Sequence, residues 1–428
     1  MNKKEIILAT KERRKYKKCA TYELKIIKSK LSSKSLKHLN KLFLEAKWFH
    51  NHILSSGEDI KNFNTKIKEV TVLNKNKEKE IRKIDVLSAQ MRQEIKDKIF
   101  RSILSLSALK KTGKKIGALK CKSKVFSISL KQLNHAFSIN FINSSIRIQK
   151  LKQNLKVKGL HQIKENYEIA NAQLVRKCND FYLLVTTYAD KEEKIMPETS
   201  VGIDFGCETQ LTLSNGIKIK YEIPVSKRLR RLDRKIMKKN RKKSYNKYKD
   251  QRKREKEYQH IKNKKKDIKN KIVSTLVNNF KYISIQNENI KGWQANHGKK
   301  IQNTSLGGII DALKRKAHTL IEINRFFPSS QLCLKCENKQ KMSQEKRTYV
   351  CPVCGYEEDR DINASRNILR EGLKDTKVPT EHRELKPQES RTSALSIMNK
   401  LKSIHNVRVS SLVEWGSLKS KGQFTSTL

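Results

Sequence analysis

The feature that most limits the fold of this 428-residue chain is a pair of cysteine knuckles. Cys333-x-x-Cys336 is followed, after fourteen residues, by Cys351-x-x-Cys354. Two such turns place four thiolates tetrahedrally, at about 2.3 Å, around one Zn²⁺. The segment between them reads as a hairpin, with Tyr349 and Val350 entering the second knuckle and Gly355 closing its tight turn. No ligand position is left open, so the zinc is expected to be structural. Disulfides are the poorer reading. Cys19, Cys121, Cys178 and Cys207 are scattered singly, and the N-terminus MNKKEIILATKERRKYKKC holds only a four-residue apolar stretch, which is no signal peptide. No apolar run approaches the ~18–20 residues of a membrane span. A cytoplasmic protein with metal-bound cysteines is expected.

Charge narrows the partner. The chain has 96 Lys+Arg against 42 Asp+Glu, a net +54. With no membrane element, a polyanion of this kind of partner is nucleic acid. About a third of the net charge lies in 227–271, where 23 Lys+Arg face 5 Asp+Glu. The first part of that segment supplies Lys227, Arg228, Arg230, Arg231, Arg234, Lys235, Lys238, Lys239, Arg241, Lys242 and Lys243. Its sparse apolar residues (Leu229, Leu232, Ile236) predict a basic helix with one thin buried stripe, gripping phosphates without reading bases. Tyr245, Tyr248 and Tyr258 are placed to stack on bases.

Hydrophobic period divides the chain. Tyr22, Leu24 and Ile26 alternate as a half-buried strand. Leu36, Leu39, Phe43, Ala46, Phe49 and Ile53 then recur at helical spacing, after a cap at Ser32 or Ser33 and before a stop at Gly57. Residues 58–112 read as further polar helices, on Ile81, Ile84 and Leu87 and then Met91, Ile95 and Ile99. From Phe126 the period falls to two, with a turn at Asn143-Ser144-Ser145 and a hairpin from 170 to 188 turning at Asn179-Asp180. Short, regularly spaced strands predict a β-barrel, interrupted by the helices. From 201, VGIDFG, LTLSNG and IKIKYEI read as three strands. A basic helical region over 227–280, a strand at 282–288, a helix at 306–318, a strand at 319–326 and a helix from about Ile362 follow. Residues 373–428 read as a disordered tail.

Three acids stand out by context. Asp204 shares one face of its strand with Gly202 and Gly206, which are expected to leave room for a ligand or metal, while Val201, Ile203 and Phe205 face the core. Glu288 ends the later strand, on the face of Ser284 and Gln286. Asp361 starts a helix, where the dipole favours an anion. An acid on the first strand, one on the fourth and one at a later helix start is the layout of an RNase H-like nuclease. Its carboxylates hold two Mg²⁺ about 3.5–4 Å apart.

Residues 201–372 resemble the TnpB family, transposon-encoded RNA-guided DNA endonucleases related to type V CRISPR effectors. The resemblance rests on VGIDFG, QNENIKGW, SLGGIIDALKRKAH, RFFPSS, the two Cys-x-x-Cys turns and DRDINASRNILREGL, in that order, and more loosely on TYELKI and LFLEAKWFHNHIL. It implies an α+β multidomain chain. A β-barrel wedge domain (1–30 and 113–200) would carry a helical recognition domain (31–112). A RuvC-like, RNase H-like nuclease (201–332 and 355–372) would carry a zinc ribbon insert (333–354). Asp204, Glu288 and Asp361 would be its acids and magnesium ligands. Many relatives have the glutamate where this chain has Gln286, so Glu288, the acid of this strand, takes the role. Asp361 rather than Asp359 is the acid directly before x-Asn-Ala. The implied partners are a guide RNA from the protein's own transposon and double-stranded target DNA, bound by a monomer. A transposase or recombinase of RNase H-like fold and a non-catalytic zinc-ribbon regulator are the alternatives.

Overall fold

The computed structural model describes residues 2–74, 76, 78–191, 198–223, 226–238, 244–343, 345–374 and 387–411. The chain divides into two compact units, Met1–Glu193 and Lys194–Leu428, each with its own apolar core.

The first unit runs α1 (Lys3–Lys15), β1 (Lys18–Ile26), α2 (Ser33–Ser55), β2 (Glu69–Leu73), β3 (Lys79–Lys83), α3 (Ala89–Lys111), β4 (Ser127–Leu130), β5 (Phe137–Asn140), β6 (Ser145–Ile148), β7 (Leu155–Lys158), β8 (Glu168–Lys177) and β9 (Asp180–Ala189). A nearly closed, barrel-like antiparallel sheet has the order β4-β8-β9-β1-β7-β6-β5. The strand at the N-terminus therefore completes the barrel, pairing with both β9 and β7. The β8–β9 hairpin pairs Lys177 with Asp180, so its turn is Cys178-Asn179, one residue earlier than the sequence suggests. Cys178 takes the positive φ, 55°, that such a tight turn requires. Ser32 caps α2, its hydroxyl accepting from the Ser35 N–H at 3.1 Å, and Leu39, Phe43, Ala46, Phe49 and Ile53 bury the expected stripe.

Between α2 and α3 the structure departs from the expected helices. Residues 69–83 form the β2–β3 hairpin, with Val70 and Val72 buried on alternate positions. Ile81 lies exposed on β3, whereas Ile84 and Leu87 are buried in the loop beyond it. Their three-residue spacing combined a strand and a loop. That loop is fixed by the buried Glu45 carboxylate, which accepts the N–H groups of Asp85, Val86 and Leu87 at 3.1, 2.9 and 2.8 Å.

The second unit runs β10 (Ser200–Phe205), β11 (Leu211–Leu213), β12 (Ile217–Tyr221), α4 (Lys227–Lys238), α5 (Tyr245–Asn279), β13 (Tyr282–Gln286), α6 (Ile290–Thr304), α7 (Leu306–Lys316), β14 (Thr319–Ile323), β15 (Thr348–Val350), β16 (Glu357–Asp359), α8 (Arg360–Leu373), α9 (Pro387–Lys402) and β17 (Val407–Ser411). Its sheet has the order β14-β13-β10-β11-β12-β17. β10, β13 and β14 are parallel, whereas β11, β12 and β17 join antiparallel. The basic segment is two helices, α4 and α5, packed on each other, rather than one. Part of the expected disordered tail is folded. β17 pairs with β12 from Ile217↔Ser411 to Tyr221↔Val407, and Ala394, Ile397, Leu401 and Ile404 join the core. Their three- and four-residue spacing puts these four on one stripe.

The two glycines beside Asp204 do not open space for a ligand. Gly202 faces α8, and a Cβ there would overlap the Ser365 carbonyl oxygen and lie 2.8 Å from Leu369 Cβ. A Cβ on Gly206 would meet the Thr209 carbonyl oxygen across a turn. At the other end of α8, a Cβ on Gly372 would lie 2.9 Å from Ser284 Cβ. Because Gly202 pairs with Ser284 in register, α8 crosses β10 and β13 with its backbone almost against the sheet. We predict that Gly202→Ala lowers unfolding stability by about 1–3 kcal/mol, since a helix must shift to admit a methyl group. Gly298→Ala, on α6 with nothing within 4 Å of its added Cβ, should instead gain about 0.5–1 kcal/mol. Denaturant unfolding of both variants checks the contrast.

Candidate functional site

The docking of α8 sets the acidic site. From the Gly202–Ser365 contact, Asp204 is two residues along β10, about 7 Å. Asp361 is one helical turn back along α8, about 6 Å. Both steps lead toward the N-terminal end of α8, and the electrostatics record the result. The Asp204 carboxyl, on a half-buried residue, is pushed up to about 8, first by burial and then by repulsion from Asp361 and Glu288. Arg360 and the Phe205 N–H oppose the shift. Glu288, two residues past the end of β13, is raised by burial and eased by Arg325. Asp361 at the start of α8 and Glu288 beyond β13 thus both act on Asp204 of β10.

Neighbouring polar groups are engaged elsewhere. Asp359 caps α8, accepting from the N–H groups of Asp361 and Ile362 at 3.0 and 3.2 Å, and pairs with Lys218 at 2.7 Å. Lys218 lies 4.0 Å from Asp361, so one β12 lysine neutralises the helix start from below. Gln286 is buried. Its amide donates to the carbonyls of Asn324, Arg325 and Phe327 at 3.3, 2.9 and 2.8 Å and accepts from the Ser329 hydroxyl at 3.0 Å. It is therefore a clasp for the loop after β14. Nothing in the sequence singles out Lys218; its only signal is an outward position on β12, two strands from β10 in the sheet.

All three acids offer oxygen, the donor that Mg²⁺ prefers. Their carboxylate oxygens do not gather within 4.8 Å of one another. Among the described residues, the group of His, Cys, Asp or Glu that does is Cys333, Cys336, Cys351 and Cys354. Sγ separations are 3.5 Å for Cys333–Cys354 and for Cys336–Cys351. A tetrahedron with ~2.3 Å metal–sulfur bonds needs edges of about 3.8 Å, so the four sulfurs fit Zn²⁺. The two knuckles are alike. The Glu337 N–H donates to the Cys333 carbonyl at 3.1 Å and the Gly355 N–H to the Cys351 carbonyl at 3.0 Å. Both residues are left-handed, at φ 59° and 68°. The β15–β16 hairpin completes the ribbon, and buried Tyr349 forms a small core with Cys333 and Cys351.

The helix that presents Asp361 also holds the ribbon. Asn363 and Asn367, one turn apart on the buried face of α8, each donate to the Leu332 carbonyl at 2.8 Å. Arg370 reaches the Leu334 carbonyl at 2.9 Å and Glu337 at 3.2 Å. Two buried asparagines at helical spacing were the signal available in the sequence.

The basic face is as its pattern suggests. Leu229, Leu232 and Ile236 are buried, and Lys227, Arg228, Arg230, Arg231, Arg234, Lys235 and Lys238 are exposed. Lys239, Arg241, Lys242 and Lys243 lie outside the described residues. Arg228 is 3.4 Å from Glu257 and Arg254 is 3.5 Å from Asp233, which ties α4 to α5. Tyr245, Tyr248 and Tyr258 are exposed, with Lys249 over the first ring and Arg252 over the second. No helix among the described residues is long and apolar enough to cross a membrane.

Two family models match. One, described as Cas12f1-like, TNB domain, covers residues 309–368; the other, OrfB_IS605, described as a probable transposase, covers 183–296. "TnpB-like protein L79" of Acanthamoeba polyphaga mimivirus is 31% identical over 137 residues, 27% of this chain and 24% of that protein. In these segments the chain is similar to the TnpB family. A "Putative RNA-guided DNA endonuclease" of Streptomyces pristinaespiralis is 32% identical over 184 residues, 41% of this chain and 45% of that protein. The chain thus spans about half the length of that relative and about a quarter of the viral one. A solved structure, "Cryo-EM structure of the Cas12f1-sgRNA-target DNA complex", aligns at TM-score 0.44 and 15% identity over 78% of this chain and 80% of that one.

The raised Asp204 carboxyl gives a pH prediction. Its folded value, about 8, exceeds the ordinary 3.8, so ionising it weakens the fold. That penalty is absent below the unfolded value, grows as pH rises through it, and levels off above pH 8. In chelator-containing buffer, Asp204→Asn should match the parent near pH 4 and exceed it by at least about 2 kcal/mol at pH 8. Denaturant midpoints across that range test this; a pH-independent difference contradicts it.

Proposed function

We propose that this chain is an RNA-guided DNA endonuclease of the TnpB family, encoded by an insertion sequence. The observation that carries the reading is the repulsion that Asp361 and Glu288, from separate elements, exert on Asp204 at a sheet end. Such a cluster is costly without a cation and useful with one. The sheet order supports an RNase H-like, RuvC-type nuclease, since β10 is flanked by antiparallel β11 and parallel β13 and the third acid starts the helix that crosses them.

In this reading Asp204, Glu288 and Asp361 would hold two Mg²⁺, which would supply charge to activate water and to stabilise the leaving oxygen of a phosphodiester. The protein's own groups orient the site. Asp359 and Lys218 fix the start of α8, and Gln286 fixes the strand end before Glu288. One structural zinc in 333–354 rigidifies the ribbon. The exposed cations of α4 and α5 hold phosphates, while a guide RNA reads the target by pairing. The first unit supplies the wedge (1–30 and 113–200) as far as Glu193 and the recognition insert (31–112). The name of the Streptomyces relative supports the activity. The description of the 183–296 model favours a second reading, a transposase that joins DNA ends and needs no RNA.

Purification from the native locus, followed by sequencing of bound RNA, separates the two. The endonuclease reading predicts one enriched small RNA and Mg²⁺-dependent cutting of matching DNA. Asp204→Ala should lower cutting at least about 10³-fold and leave guided binding within about twofold. Absence of enriched RNA, or cutting that survives the substitution, overturns it.

A further inference from the structure

The first unit contains a cavity of about 260 Å³ between α2, α3 and the segment that leads into β4. Its lining is unlike an ordinary packing defect. Ile95 and Ile99 of α3 form an apolar wall. Phe126 lines it while 58% exposed, a large ring left in solvent. Lys98 and Lys122 bring two cations to the same opening. His50 of α2 lines it at 7% exposure, and its Nε2 has no hydrogen-bond partner. A buried polar atom without a partner is rare and costly, and a site that waits for a ligand is one reason to keep it.

The charges point the same way. Burial, together with Lys122 and Lys98, pushes His50 down to about 4, so its imidazole is neutral at physiological pH and can hydrogen-bond a neutral ring edge. Lys122 is itself lowered by burial and by Lys98. Two ammonium groups in mutual repulsion are relieved by an anion between them. The arrangement is built rather than accidental. Asn51 holds the Lys122 backbone on both sides, donating to its carbonyl at 3.0 Å and accepting from its N–H at 2.8 Å.

We propose that this cavity receives one unpaired nucleotide. Its base lies between Phe126 and the Ile95–Ile99 wall with a polar edge on His50 Nε2, and its phosphate meets Lys98 and Lys122. A bare phosphate would leave the hydrocarbon wall and the ring unused. A base pair exceeds the volume. Bases splayed from a strand are recognised by this combination of ring face, polar edge and backbone cation. The inference rests on the reading that the chain carries nucleic acid; it needs no cleavage.

The test uses the full chain with a fluorescent eight-nucleotide single-stranded RNA, the same sequence as single-stranded DNA, and the corresponding duplex. Phe126→Ala, on an exposed ring, should weaken single-strand binding about tenfold, as loss of one stacked base does. His50→Phe, which keeps the ring shape and removes the nitrogen, should weaken it as well, and duplex binding should change less than twofold in both. Whichever single strand loses more identifies the source of the nucleotide. Unchanged single-strand binding in both variants overturns the proposal, as does equal loss for the duplex. Cleavage by Phe126→Ala, measured separately with Asp204→Ala as the inactive reference, keeps a failure of this pocket distinct from a failure of the nuclease reading.

Discussion

The close approach of α8 to Gly202 is the constraint on which the second unit depends. The helix backbone lies where a side chain would be, with the Ser365 carbonyl over the missing Cβ, and Gly372 repeats the arrangement against Ser284. Two such contacts fix both the height and the direction of one helix. From that helix hang Asp361, beside Asp204, and Asn363, Asn367 and Arg370, which hold the first cysteine knuckle. The acidic site and the ribbon are therefore positioned by the same rigid body, and a displacement of α8 would disturb both.

Electrostatics explain why the acidic site is confined. The chain is strongly cationic as a whole, yet two carboxylates repel that of Asp204 at one sheet end. Lys218, Arg360 and Arg325 soften the repulsion without cancelling it. The capping role of Asp359 matters here, because it satisfies the helix start while Asp361 acts on Asp204. A site of this kind costs stability when ionised and empty of cation, which is the usual relation between a functional centre and the fold that holds it.

Much of this was legible in the sequence wherever a pattern repeats. The cysteine spacing defined the ribbon, and alternation along VGIDF placed Asp204 opposite Val201, Ile203 and Phe205, as their burial bears out. Periodicity failed where few residues sample it. Ile81, Ile84 and Leu87 mimicked a helix across a strand and a loop. Residues 394–404 sit in an otherwise polar tail, which hid the buried stripe of Ala394, Ile397, Leu401 and Ile404. Glycine was legible as a residue but not in its use, since a gap beside Asp204 for a ligand and a gap for a helix backbone look the same in one dimension. Lys218 and Gln286 were hidden for a related reason: their partners are 141 and about 40 residues away, and only the folded sheet brings them together.

The central claim is that α8 makes Asp204 and Asp361 one site. Mn²⁺ binding to the full chain, followed by electron paramagnetic resonance at neutral pH, tests it most directly. If the account is right, Asp204→Asn and Asp361→Asn each abolish the same tightly bound Mn²⁺, and the double variant loses no more than either single one, as for residues that share a ligand. Tight Mn²⁺ binding retained in either single variant, or losses that simply add, would contradict it.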